Sequence, residues 1–167
     1  MVRHGCLDEV TGLPKRESML SYLRGQPNLL EAHGLPFSTA LIQLDRMQLF
    51  QDAHGQEAVR SITQVVAHTM RDVLRSTDFL GRWEEDQFLA ILPCCSDSFV
   101  EKVAHRLKAT VSGSGIHWWG DRLSVEVLVA STSVIEEDTV DSLNERVTFH
   151  LKKLPNQTAA SATGGGA

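Results

Sequence analysis

Three carboxylates and an amide stand consecutively at Glu84-Glu85-Asp86-Gln87, between two runs that pattern as strands. A turn between strands ordinarily holds Gly or Asn, because its backbone visits positive φ. Acidic side chains in that place suit either a functional site or a solvated turn, and the spacing alone favours the solvated turn. The other reactive residue types form no constellation. The 7 histidines (His4, His33, His54, His68, His105, His117 and His150) are scattered without ligand spacing, so no histidine metal centre is expected. Cys6, Cys94 and Cys95 fit neither a disulfide framework nor a zinc pattern, which makes reduced cytosolic thiols the default. Cys94 and Cys95 flank a turn and are assigned no chemistry.

The bulk properties narrow the class. A chain of 167 residues suits one domain with a sizeable core, and 42% hydrophobic residues with a net charge of −5 read as a soluble globular protein. No apolar run approaches the ~20 residues of a membrane helix, and Met1-Val2-Arg3-His4-Gly5 leads into polar residues rather than a signal-peptide core. Mild acidity argues against a nucleic-acid partner, which would call for a basic stripe. A cytoplasmic location is expected.

The elements that must position the acidic turn are legible from periodicity. Pro14 is placed to open a helix carrying Met19, Leu20 and Leu23. Asn28 to His33 suggests a brief helix stopped by Gly34-Leu35-Pro36. Thr39 to Asp45 is near-continuously apolar and reads as a buried strand; Met47 to Ala53 suggests a short helix that Gly55 breaks. From Glu57, the residues Ala58, Ile62, Val65, Val66, Thr69, Met70, Val73 and Leu74 recur at helical steps, giving a long amphipathic helix that ends near Arg75. The hairpin follows, with Phe88, Ala90 and Leu92 alternating against Leu89 and Ile91 as a strand buried on both faces. Val100, Val103, Ala104, Leu107 and Val111 predict another helix, ending at Ser112-Gly113-Ser114-Gly115. Ile116 to Trp119 and Leu123 to Ala130 predict a hairpin across Gly120-Asp121, with one of Trp118 and Trp119 in the core and the other free to anchor a partner. A last helix spans Val140 to about Lys152. The expected class is α+β, with helices packed on a mainly antiparallel sheet. Residues 1–156 form the domain, and 157–167, rich in Ala, Ser, Thr and Gly, form a disordered tail or linker.

With these elements in order, the chain resembles the GGDEF domain of diguanylate cyclases from about Asp8 to Asn156. Asp8-Glu9-Val10-Thr11-Gly12-Leu13-Pro14-Lys15-Arg16 is similar to the family's D-x-L-T-G-L-x-N-R. The strand ending at Asp45, the Asp52 to Gly55 turn, the long helix, the hairpin at Glu84 and the run from Val111 to Ala130 follow in the family's order. The resemblance implies a nucleotide-cyclase, palm-like fold and an activity: two GTP-loaded domains condense two GTP into cyclic di-GMP with Mg²⁺.

Residue by residue, the resemblance also implies that this activity is gone. The family's first metal-binding Asp corresponds to Gln43, whose neutral amide is a weak ligand for a hard cation. The guanine-reading Asn and Asp correspond to Gln51 and Arg60, the latter a cation facing guanine's N–H donors. Glu84-Glu85-Asp86-Gln87-Phe88 stands for G-G-D/E-E-F. Glu84 and Glu85 add carboxylates where glycine lets backbone approach phosphate, Asp86 keeps a metal-ligand position, and Gln87 loses a charge. Lys152 keeps a phosphate-contacting Lys, whereas Asn156 replaces an Arg. Phosphoryl transfer rests on positioned metal and charge, so such losses abolish it.

A second family site survives. Arg75-Ser76-Thr77-Asp78 matches the R-x-x-D motif that binds cyclic di-GMP, and Arg106, with Lys102 one turn before it, falls at an assisting position. Arg presents two N–H groups to the O6 and N7 edge of guanine, and Asp accepts from N1 and N2. An Arg and an Asp three apart at a helix end also form an ordinary solvated ion pair. The expectation is a catalytically inactive GGDEF-like domain without cofactor. It would receive cyclic di-GMP, which in the family is an intercalated dimer, and signal through self-association or a neighbouring sensor or EAL domain. The alternatives are a ligand-independent interaction module and a non-catalytic GTP-binding domain.

Overall fold

The computed structural model describes residues 6–25, 37–135 and 137–155. Helix α1 (Arg16–Arg24) precedes strand β1 (Phe37–Leu44), which leads into α2 (Met47–His54) and α3 (Gln56–Val73). The hairpin β2 (Phe79–Glu84) and β3 (Gln87–Pro93) follows, then α4 (Asp97–Gly113), β4 (Ile116–Trp118), β5 (Asp121–Leu123), β6 (Val127–Ser133) and α5 (Val140–Lys153). The main sheet runs β2-β3-β1-β6 with every pair antiparallel, so the expected α+β class holds. Ala40 lies opposite Ala90, and Leu41 opposite Ala130.

Central strands without a solvated face need apolar residues on both sides, and β1 and β3 supply them. Ala40, Ile42, Phe88, Ala90 and Leu92 join the core under α3 and α4, while Leu41, Leu89 and Ile91 join a second core under α1 and α5. Helix α3 buries Ala58, Ile62, Val66 and Met70, as its periodicity predicts, and Ala67 besides, whereas Val65 stays at the margin, 39% exposed. Helix α5 starts at a capping box, in which Thr139 and Ser142 satisfy each other's backbone N–H. It seats Leu143, Val147 and Leu151 in the second core.

Three expectations need correction. Pro14 does not open a helix: it pairs with Leu7 in an isolated bridge, and its carbonyl accepts the Arg82 N–H at 2.8 Å, so α1 starts only at Arg16. The run from Leu123 to Ala130 is not one strand. It breaks at Ser124–Glu126, where the Glu126 carbonyl accepts the Asp45 N–H at 2.9 Å, and its halves join different sheets. The small hairpin turns at Trp119-Gly120 rather than Gly120-Asp121, with φ of 49° and 90°. Trp119 is therefore in the turn and 90% exposed, while Trp118 packs against the core. The brief helix expected at Asn28 to His33 and the tail 157–167 lie outside the described residues.

Candidate ligand-binding site

The chain leaves α3 at Leu74 in an extended conformation and turns through Arg75–Asp78 into β2. Asp78 closes that turn. Its Oδ2 accepts the Arg75 backbone N–H at 2.8 Å and Nε at 3.3 Å, and its Oδ1 accepts Nη2 at 2.9 Å. Arg75 Nη2 also donates to the Pro93 carbonyl at 2.8 Å, tying the turn between α3 and β2 to the end of β3. The Asp78 side chain is 2% exposed and that of Arg75 49%, so the acid lies beneath a guanidinium that still faces solvent. The hydrogen bond to Asp78 raises the Arg75 pKa, with burial working against it. Among the described contacts, both Nη1 protons stay available.

Helix α4 supplies the facing wall. Arg106 Nη2 donates at 2.7 Å to the Val73 carbonyl, one of the carbonyls left without an intrahelical partner at the end of α3, and so bridges the two helices at this edge. Lys102 Nζ sits 5.4 Å above the Phe99 ring. Arg75, Asp78, Lys102 and Arg106, the four residues singled out from the sequence, line one cavity of about 440 Å³. Phe99, Val103, Cys94 and Cys95 complete its lining. Three cations face one carboxylate beside an aromatic ring that is 60% exposed. Such a surface can neutralise phosphate, hydrogen-bond a base edge and stack a base face. Sequence reading missed Phe99 and the two cysteines. Phe99 was findable, because it stands three and seven positions before Lys102 and Arg106 on one helical stripe.

The acidic turn is a different place. None of Glu84, Glu85, Asp86 and Gln87 has positive φ; the strands instead slip register between Arg82 and Glu84. Arg82 holds this turn from below. Its Nε donates to the Glu84 carbonyl at 3.1 Å, Nη2 to the Glu85 carbonyl, and Nη1 to Asp8 Oδ2 at 3.1 Å. Burial pushes the Asp8 carboxyl up, but hydrogen bonds from Thr11 and the charge of Arg82 outweigh it and hold the group below its usual range. Glu84 turns outward to an ion pair with Arg16.

Gln43 and Gln87 face each other across β1 and β3. Gln87 Nε2 donates to Gln43 Oε1, and Gln43 Nε2 to Asp86 Oδ2, both at 3.3 Å. Gln43, Asp45, Gln51, Glu85 and Asp86 line a cavity of about 390 Å³. Asp45 Oδ2 is buried there without a hydrogen bond, 3.9 Å from Arg46 Nε. Arg60, Glu84, Gln87 and Lys152 are not in that lining; Lys152 borders a separate groove with Arg16, Trp83 and Phe149. Among the described residues no cluster of three or more His, Cys, Asp or Glu could hold a metal, and no helix is long and apolar enough to cross a membrane. Asn156 lies outside the described residues.

Residues 6–161 match the family described as diguanylate cyclase, GGDEF domain. Diguanylate cyclase DgcP of Pseudomonas aeruginosa is 24% identical over 139 residues, 83% of this chain and 21% of the relative. Response regulator PleD of Caulobacter vibrioides is 25% identical over 142 residues, 83% of this chain and 31% of its own length. The chain thus spans 21% and 31% of these two curated relatives. Among solved structures, the GGDEF domain of DgcB from Caulobacter crescentus in complex with c-di-GMP superposes with a TM-score of 0.85 at 18% identity, over 97% of this chain and 94% of that one. Diguanylate cyclase SiaD in complex with its activator SiaC, from Pseudomonas aeruginosa, gives 0.83 at 25% identity, over 93% and 58%. With the family matched along nearly the whole chain and its fold reproduced, the chain belongs to the GGDEF domain family.

Proposed function

We propose that this domain receives cyclic di-GMP through Arg75, Asp78, Lys102 and Arg106 and does not synthesise it. One observation carries the reading: a turn and a helix from separate parts of the chain bring these four side chains to a single cavity, beside an exposed aromatic ring. Cyclic di-GMP offers two phosphodiesters for the cations and two guanines for the Arg–Asp edge and the Phe99 face. That the GGDEF domain of DgcB is found with c-di-GMP supports the choice of ligand. Arg75 and Asp78 are paired before the ligand arrives, so the guanine edge must exchange with that pair or engage the free Nη1 protons. Binding to a ligand gripped from both sides would join two domains, and the output would be a change in association or in a neighbour's placement.

The opposite face argues against turnover. Mg²⁺ needs carboxylate lone pairs; the unpaired Asp45 Oδ2 offers one in this cavity, but Asp86 Oδ2 accepts an N–H of Gln43, and Gln43, at the family's first ligand position, has no charge to offer. With that carboxylate replaced by an amide, the residues present fit the metal poorly. Glu85 adds a negative charge to the lining of the cavity a triphosphate would enter, whereas Glu84 turns away to Arg16, and Arg60, outside that lining, stands at the sequence position that in the family accepts from guanine.

Calorimetric titration of cyclic di-GMP, and separately of GTP with Mg²⁺, tests both halves. The receptor reading requires saturable binding of cyclic di-GMP at tens of micromolar or tighter, about −6 kcal/mol. It is overturned if no heat appears in that range. Heat from GTP instead assigns the domain to nucleotide sensing. A docking module is the second reading, favoured by Trp119, which is 90% exposed at a turn tip; it stands if neither ligand binds.

A further inference from the structure

Helix α5 turns to solvent a face that its packing does not use. Leu143, Val147 and Leu151 point into the second core, while Asp141, Glu145, Phe149, Lys152 and Lys153 are exposed on the other side. Three- and four-residue steps place these five on one stripe. Phe149, at its middle, is 54% exposed even though Lys153 Nζ lies 4.4 Å from the ring centroid. Beside the ring, α1 and the end of β2 complete a groove of about 530 Å³, whose apolar lining is Leu20 and the Trp83 indole. An exposed aromatic knob thus stands next to an apolar hollow.

The charges on the stripe are sorted. Asp141 and Glu145 precede Phe149, and Lys152 and Lys153 follow it. The helix dipole favours that order of signs, but it does not account for an apolar ring left in water between them. Asp141 reaches Arg24 at 3.9 Å, whereas Glu145, Lys152 and Lys153 form no ion pair among the described residues. Their own helix offers none, because the neighbours of Glu145 at four-residue steps are Asp141 and Phe149, and those before the lysines are Thr148 and Phe149. A second copy supplies the missing partners. Laid antiparallel about a two-fold axis at Phe149, two α5 helices bring each Glu145, four residues before the axis, against the other copy's Lys152 and Lys153, three and four residues after it. A parallel arrangement would set acid on acid. A two-fold contact needs a patch that complements itself, and this order of charges does so. The two rings meet near the axis and leave water together with the groove linings.

We infer that the α5 face is an interface between two copies of this chain, packed antiparallel about Phe149. Helices α1 and α5 cover one side of the sheet, and α3 and α4 cover the other. The contact therefore forms without cyclic di-GMP, leaves the cavity at Arg75 open, and does not rest on the receptor reading.

Sedimentation velocity on the ligand-free chain, from about 1 µM to about 0.3 mM, tests the interface. The sedimenting mass should double across that range, and less readily as salt rises. Phe149→Asp and the milder Phe149→Ser should both stay monomeric, with melts close to wild type because the ring is already half in water. Glu145→Lys should weaken the dimer by about tenfold or more, and so should the variant carrying Lys152→Glu and Lys153→Glu. Mixed together, those two variants should associate as well as wild type, since every facing pair is then of opposite sign. A wild-type chain that stays monomeric throughout, a dimer unchanged in both Phe149 variants, or a mixture no more associated than its components overturns the interface. So does a mass that doubles only once cyclic di-GMP is added, which would move the contact to the ligand cavity.

Discussion

Replacing Arg75 with Ala separates what the Arg75–Asp78 pair does for the fold from what it does for a ligand. The substitution removes three side-chain hydrogen bonds, two to Asp78 and one to the Pro93 carbonyl. The Arg75 backbone N–H still serves Asp78 Oδ2, but Oδ1 is left without its partner on a side chain only 2% exposed. Charge-assisted bonds of this kind are worth about 1.5–3 kcal/mol when dry, and the half-exposed guanidinium reduces that to about 1–2 kcal/mol. For a chain of this size the loss lowers Tm by about 2–8 °C. Asp78→Ala should cost a similar amount, because it releases the same pair and also orphans the Arg75 N–H. The double variant should be less destabilised than the two added together, by about 1 kcal/mol. Ligand affinity should split differently. Arg75→Ala removes a bidentate contact worth about 1–3 kcal/mol, or roughly 5–150-fold in Kd. Asp78→Ala should weaken binding less, since it frees the guanidinium from its internal competitor. Thermal melts and calorimetry on the four proteins measure both cycles. Additive stabilities, together with a Kd for Arg75→Ala within twofold of wild type, would refute the reasoning.

Three further outcomes follow from other contacts. Phe99→Ala should weaken cyclic di-GMP binding by about 1–3 kcal/mol per stacked base, with Phe99→Tyr close to wild type and both melts nearly unmoved, because the ring is 60% exposed. At Asp138, burial raises the carboxyl pKa, but hydrogen bonds from Arg146, the Ile135 N–H and Ser142 outweigh it, so the folded value is depressed. That contribution is present above the unfolded pKa and lost as pH falls through the folded one. The urea midpoint gap between wild type and Arg146→Ala should therefore narrow below about pH 4. Gly81→Ala should cost about 1–3 kcal/mol by urea denaturation, since a Cβ there would stand 2.4 Å from the buried Met19 Cγ and 3.0 Å from the Pro14 carbonyl.

The sequence revealed some of this directly. Strand β3 was readable because both of its faces are apolar, and α3 because its small and branched residues keep a strict helical step. Arg75 and Asp78 were readable as a pair because their spacing is local. The break after Leu123 was hidden, since Leu123, Val125 and Val127 alternate like one strand while only the Asp45–Glu126 hydrogen bond reveals the change of sheet. Pro14 misled because it fits a helix start, and its bridge to Leu7 depends on a loop closure that no periodicity records. The cavity wall was hidden for a third reason. Cys94, Phe99 and Arg75 meet only after α4 packs on α3 through their shared apolar core, a long-range contact that local spacing does not record.

On the proposed function, the ligand binds beside Arg75 and not at the acidic turn. Backbone amide shifts of isotope-labelled protein, followed while cyclic di-GMP is added, locate it directly. Shifts concentrated in residues 73–79 and 94–106 are expected, with Gln43, Gln51 and Glu84–Gln87 unmoved. Shifts centred on Gln43 and the Glu85-Asp86 turn, or none at saturating ligand, would contradict it.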